Sequence, residues 1–177
     1  PLTIASSNGH TDVVQLLLEH GANADKADTD AGSTPLFVAS QKGHTDVVKL
    51  LLEHGADADK ATTTDGATPL FMASETGHAD VVKLLLEHGA DADKAKTTDG
   101  ATPMFIASQK GHTDAVPLLL EPGADADKAK TTDGATPPFM ALSNGPPPLA
   151  LAPLPRAPGA GKPKPRPRSH PTYPSGP

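Results

Sequence analysis

Eight histidines and 21 acidic residues are the side chains of this 177-residue chain that could ligate a metal or move a proton. His10, His44, His78 and His112 each follow a glycine, and His20, His54 and His88 each follow a Leu-Leu-Leu-Glu run; both series step by 34 residues. A fixed step of this kind places equivalent rings on successive structural units. Packed helices lie about 8–10 Å apart, whereas zinc holds nitrogen ligands at about 2 Å. The spacing therefore argues for a structural role repeated once per unit and against a shared zinc site. The Asp-rich loop from Asp91 to Gly100 fails as a calcium loop, because an EF-hand needs a ligand at its fifth position and glycine at its sixth. Ala95 and Lys96 stand there.

Covalent and acid–base catalysis find no more support. There is no Gly-x-Ser-x-Gly, phosphate-binding Gly-rich loop or His-Glu-x-x-His. The chain has no cysteine, which excludes disulfides, thiolate metal sites and cysteine nucleophiles. Acids and histidines recur in every copy, as scaffold residues do, whereas a catalytic centre is normally one asymmetric constellation. The expectation is a protein that is not an enzyme and uses no cofactor and no metal.

The elements that carry these residues follow from the repeat itself. Thr-Pro recurs at Thr34-Pro35, Thr68-Pro69, Thr102-Pro103 and Thr136-Pro137, again in steps of 34 residues. Segment 31–64 matches 65–98 at 27 of 34 positions, and 65–98 matches 99–132 at 26. In the copy 65–98, Thr68 is a good N-cap and Pro69 suits the first helical position, where its missing N–H costs nothing. A short helix is expected from Pro69 to about Thr76, burying Leu70, Met72 and Ala73, with Gly77 ending it. A second helix is expected from about Ala79 or Asp80 to His88. Its Val81, Val82, Leu84, Leu85 and Leu86 form a wide apolar face at helical spacing. Beyond Gly89 an extended, hairpin-like loop closes at Asp99-Gly100, a strong tight-turn signal. One such helix pair cannot bury its own apolar face, but stacked copies can.

Four linked motifs carry a resemblance to ankyrin repeats: Asp-Gly-x-Thr-Pro-Leu at 65–70, Gly-His at 77–78, Val-Val-Lys-Leu-Leu-Leu at 81–86 and Gly-Ala-Asp at 89–91. Tetratricopeptide repeats share the 34-residue period but lack this punctuation. The resemblance implies an α-helical repeat solenoid of stacked helix-turn-helix units over residues 1–145. The units are about 1–30, 31–64, 65–98, 99–132 and a partial 133–145. It also implies that the Gly-His ring bonds to nearby backbone, and that hairpin tips and the inner, concave face of the short helices contact a protein partner. The matching positions are Ser7, Asn8, Gln41, Lys42, Glu75, Thr76, Gln109 and Lys110, which vary between copies within a nearly invariant framework. Partner contact and relaxed constraint both explain such variation. The hairpin pairs Asp59-Lys60, Asp93-Lys94 and Asp127-Lys128 scarcely vary.

Three departures from the family pattern stand out. The unit is one residue longer than the family's usual one, and the extra residue lies in the loop. The family's histidine after Thr-Pro-Leu is replaced by Phe37, Phe71, Phe105 and Phe139, which exchanges a side-chain hydrogen bond for an apolar contact. The pattern also decays toward the C-terminus. Pro117 replaces Gln15, Lys49 or Lys83, near the end of a first turn, where it is expected to lose one backbone bond. Pro122 replaces His20, His54 or His88 and is expected to shorten its helix by several residues. Pro138 replaces a leucine, and the partial unit stops before its second helix, which risks exposing Phe139, Met140 and Leu142.

Composition agrees with this division. Aromatic residues are sparse, with four Phe, one Tyr and no Trp, which suits a layered Leu/Val/Ala stack better than a globular core. Residues 1–145 hold all 21 acids against ten lysines, a net −11, so the repeats are poor candidates for nucleic acid. Residues 146–177 contain 12 prolines and a net +5, from Arg156, Lys162, Lys164, Arg166 and Arg168. Such a tail is expected to be disordered with polyproline II character. Its Arg168, Pro171 and Pro174 match a pattern read by SH3 domains, while a plain solvated tail, or one docked on the acidic repeats, fits as well. No apolar run approaches the roughly 18 residues of a membrane span. Pro1 falls inside a repeat, so the sequence reads as part of a longer array. The expected function is a non-catalytic protein-binding module or scaffold, monomeric and intracellular (cytoplasmic or nuclear). The alternatives are a structural spacer or degenerate array without a specific partner, and recruitment of an SH3-like domain by the tail.

Overall fold

A computed structural model of the chain describes residues 1–128 and 130–137. Its helices come in pairs: α1 (Leu2–Ser7) with α2 (Thr11–Glu19), α3 (Pro35–Lys42) with α4 (Thr45–Glu53), α5 (Pro69–Thr76) with α6 (Ala79–Glu87), and α7 (Pro103–Lys110) with α8 (Ala115–Leu120). The described residues contain no strand. Within each pair the helices pack together, and between pairs the short helices stack in the order α1, α3, α5, α7 beside the long helices α2, α4, α6, α8. The architecture is the expected all-α repeat stack.

Local chemistry sets the helix ends. Thr34, Thr68 and Thr102 are extended N-caps whose hydroxyls accept from the N–H of Phe37, Phe71 and Phe105, each at 3.1 Å. These bonds satisfy one of the N–H groups left without an intrahelical partner, and the following proline forgoes a donor that had no acceptor. Gly43 ends α3 at φ 74°, a left-handed conformation that a β-carbon would strain.

The long helices explain why the stack extends in one dimension. In α2, α4 and α6 the first turn carries two adjacent valines, which point to different sides of a helix. Val13, in the first of the described repeats, is 47% exposed, whereas its counterparts Val47 and Val81, each with a described repeat ahead of it, are buried at 1% and 0%. Val14, followed by a unit, is fully buried. The first valine is thus covered by the preceding repeat and the second by the following one. Leu51, Leu85 and Leu119 complete this core, with Leu50, Leu84 and Leu86 partly buried around it.

The phenylalanines build a second core. Phe37, Phe71 and Phe105 are buried with Ala67, Met72, Ala101 and Ile106 on the hairpin side of the short helices. Phe71 joins Leu70, Met72 and Ala73 as a buried residue of α5, and so does Ser74. The hydroxyls of Ser6, Ser40 and Ser74 are buried without a hydrogen-bond partner.

The two prolines of the fourth unit act in the reverse order of size from that expected. α8 starts two residues later than α6 in register and ends one residue earlier. Pro117 has no N–H to donate to Thr113, and its ring would crowd that carbonyl. The chain instead tightens, Ala115 N–H bonding His112 O at 3.1 Å, and Pro117 becomes the third helical residue. An N–H there would have no intrahelical acceptor. Pro122 costs a single residue rather than several, because Glu121 N–H still reaches Pro117 O at 3.1 Å. What it removes is the cap seen at His54, whose N–H (3.1 Å) and Nδ1 (2.8 Å) both meet Leu50 O. Pro138, Phe139, Met140 and Leu142, the boundary at residue 145 and the Pro-rich segment lie outside the described residues.

Two expectations about stability follow. Replacing Ser40 or Ser74 with Ala removes an unsatisfied buried hydroxyl and should raise the unfolding free energy by about 1 kcal/mol per site; urea denaturation that shows a loss would mean the hydroxyls have partners. Pro117→Lys should lengthen α8 and stabilise the chain by about 1–3 kcal/mol, more than Pro122→His does, as read by far-UV circular dichroism and melting. The opposite ranking would place the larger lesion at Pro122.

Candidate partner-binding face

The eight variable positions fall on the last two residues of each short helix or the residue that caps it, immediately before the turn glycine. They repeat one pattern: Ser7, Gln41, Glu75 and Gln109 are half-buried, while Asn8, Lys42, Thr76 and Lys110 are exposed. Stacking of α1, α3, α5 and α7 brings the pairs into one row. The exposed charge along it runs from none at Asn8 to positive at Lys42, none at Thr76 beside negative Glu75, and positive again at Lys110.

The Gly-His motif holds this row in place. His44 Nε2 lies 3.1 Å from Ser7 O, and His112 Nε2 lies 2.9 Å from Glu75 O. Each ring thus donates, as its Nε2–H form, to the backbone of a candidate partner-binding residue in the preceding unit. The rings seat on glycine: a β-carbon at Gly9 would stand 2.7 Å from His44, and one at Gly43 would stand 2.6 Å from His78. The motif therefore acts between repeats, where the resemblance had implied only a bond to nearby backbone. Among the described residues no group of three or more His, Asp or Glu side chains converges as a metal site requires.

The hairpins are tied together by two further ladders. Thr63, Thr97 and Thr131 donate their N–H groups to Ala31, Asp65 and Asp99 carbonyls at 2.9–3.0 Å. Asp57, Asp91 and Asp125 donate theirs to the carboxylates of Asp25, Asp59 and Asp93 at 3.0–3.1 Å. The Asp-Lys pairs of the tips are thus partly consumed by the scaffold. Asp59 and Asp93 serve the next hairpin, and Lys128 Nζ reaches Asp93 O at 2.8 Å.

Two lysines that the sequence did not single out brace the phenylalanine layer. Lys96 Nζ lies 2.7 Å from Asp65 and 5.2 Å from the Phe71 ring centre; Lys130 Nζ lies 3.3 Å from Asp99 and 5.3 Å from that of Phe105. Both are within cation–π range. A sequence signal exists: Lys96 and Lys130 follow Asp65 and Asp99 by 31 residues, and where that aspartate is absent, at Ala31, the partner position holds Thr62. Burial alone would raise the Asp65 carboxyl, but the Lys96 and Thr62 hydrogen bonds and the Ala67 N–H outweigh it and hold it below its ordinary value. At Asp99, burial is likewise outweighed by the Ala101 N–H and by Lys130.

These depressed carboxyls stabilise the fold above the ordinary aspartate range, near 3.9. That contribution is lost as pH falls through their lower folded values, because the unfolded chain takes up protons first. The melting midpoint of an Asp65→Asn, Asp99→Asn double variant should therefore fall less steeply below about pH 4 than that of the parent chain. An unchanged slope would remove the two ion pairs from the acid response.

The row offers amide, ammonium, hydroxyl and carboxylate groups on a braced frame. No helix among the described residues is long and apolar enough to cross a membrane. No curated protein matches the chain. A family model described as ankyrin repeats (3 copies) matches residues 1–62 and 55–130. Ankyrin repeats are generic protein–protein interaction modules, and the family is typically non-catalytic. With its capped short helices, its inter-repeat Gly-His seats and a family match over most of its length, the chain belongs to the ankyrin-repeat family.

Proposed function

We propose that residues 1–145 form a monomeric, non-catalytic module that binds a protein partner through the row Ser7–Asn8, Gln41–Lys42, Glu75–Thr76 and Gln109–Lys110, with 146–177 as a separate Pro-rich tail. The observation that carries this reading is the coincidence of sequence variation with fixed geometry. Among the positions that differ between copies, the pairs at the short-helix ends lie in register, where His44 and His112 hold the backbone of Ser7 and Glu75. A pre-organised row limits the conformational entropy that a partner must overcome on binding. The half-buried member of each pair suits orientation and the exposed member suits contact.

A second reading draws on the shortened α8: a degenerate array that serves as a spacer and has no specific partner. The two readings separate in one experiment. The chain is immobilised and challenged with a native lysate of its source, beside a Gln41→Ala, Lys42→Ala, Glu75→Ala, Thr76→Ala variant and a chain truncated after residue 145. The binding reading expects saturable capture that the truncation keeps and the quadruple variant loses by about tenfold or more, as removal of a few central contacts does, with helicity unchanged. Capture retained by the variant would rule out this row, absence of saturable capture would favour the spacer, and loss on truncation would assign binding to the tail.

A further inference from the structure

The charges of the candidate row have no counter-ion within the stack. Elsewhere Lys49 and Lys83 pair with Glu53 and Glu87, Lys96 and Lys130 pair with Asp65 and Asp99, and Lys128 bonds to Asp93 O. Among the described residues no such partner stands beside the side chains of Lys42, Glu75 or Lys110. They form a positive, negative, positive series with one charge per unit. Packed helices lie about 8–10 Å apart and an extended chain rises about 3.3 Å per residue, so every third residue of an extended segment meets the next unit. Such a segment also carries free backbone N–H and C=O groups, which the half-buried Gln41 amide can meet, whereas a helix has already satisfied its own. A uniformly acidic partner would face Glu75 and the net −11 of residues 1–145; one that alternates in sign avoids both.

We propose that the row takes an extended peptide segment with an acid, a base and an acid at every third residue. The acids pair with Lys42 and Lys110. The base lies along Thr76 and reaches the Glu75 carboxylate. Thr76 suits the apolar stem of a long basic side chain, because its own hydroxyl already donates to Met72 O at 2.7 Å. Glu75 is held for this role by the bond between its carbonyl and the His112 ring. The charge series reads the same from either end and so serves both directions of the segment. This partner chemistry rests on the row being the binding face.

The test titrates the full isotope-labelled chain, followed by NMR, with capped nine-residue peptides built on serine and alanine. One carries glutamate at its second and eighth positions and lysine at its fifth; another reverses these charges. The first should give saturable shifts at the amides around Lys42, Glu75 and Lys110, and the second should bind at least about tenfold more weakly. Lys42→Glu with Lys110→Glu, both at exposed positions, should leave the melting midpoint nearly unchanged and move the preference to a peptide with lysine at all three places. No saturable shift, no preference between the peptides, or a preference that survives the double variant overturns the proposal. Tighter binding of a helical peptide with its charges about seven residues apart, the helical equivalent of one unit, overturns it as well. In the lysate capture, loss by the quadruple alanine variant with retention by the Lys42→Glu, Lys110→Glu variant overturns the charge pattern and leaves the row standing. Retention by both removes the row itself.

Discussion

Contact between successive repeats is the constraint on which the rest of the structure depends. A pair of short helices leaves a valine exposed on each side, and each fully buried valine contributes roughly 1.5–3 kcal/mol. Val47 and Val48 bury in opposite directions, one against the unit before and one against the unit after. Stability therefore resides in junctions more than in units, as it does in other linear repeat arrays. The hydrogen-bond ladders run the same way: Thr63 to Ala31, Asp57 to Asp25 and His44 to Ser7 all cross a junction.

Because the junction bonds end on Ser7 and Glu75, the scaffold and the candidate site share atoms. The histidine ring fixes a carbonyl whose own side chain faces outward beside an exposed neighbour. The Phe-Lys-Asp brace adds a second restraint on the hairpin side. Lys96 and Lys130 are mostly shielded from solvent, and their stems lie along apolar rings. Replacing the family's histidine by Phe37, Phe71 and Phe105 thus did more than delete a hydrogen bond. It created an apolar layer and supplied the surface on which those lysines rest.

Most of the fold was legible in the sequence, because threonine caps, N1 prolines, turn glycines and helical spacing all act within a few residues. The bounds of α5 and the start of α6 match the spacing. What was not legible depends on neighbours far along the chain. Whether Gly9 receives a ring or stands open is decided 35 residues later, at His44. The burial of Phe71 and the Lys96 brace depend likewise on the next hairpin, although the 31-residue Asp–Lys offset carried that information. The effect of Pro117 is hidden from the sequence for a related reason. A fixed register makes a proline near the end of the first turn look harmless, whereas the helix responded by moving its start.

High identity between copies limits what the candidate row can say to a partner. Units two and four carry the same Gln-Lys pair, and only Glu75-Thr76 and Ser7-Asn8 differ from it. The hairpin tips add little, since their aspartates already serve the neighbouring N–H groups. Under the proposed binding mode, recognition rests on the order of few signals: neutral, positive, negative, positive. Long-range charge complementarity steers encounter more than it sets affinity. In the proposed binding mode, the exposed Lys42, Thr76 and Lys110 make contact, and Glu75, whose carbonyl His112 holds, orients its neighbour.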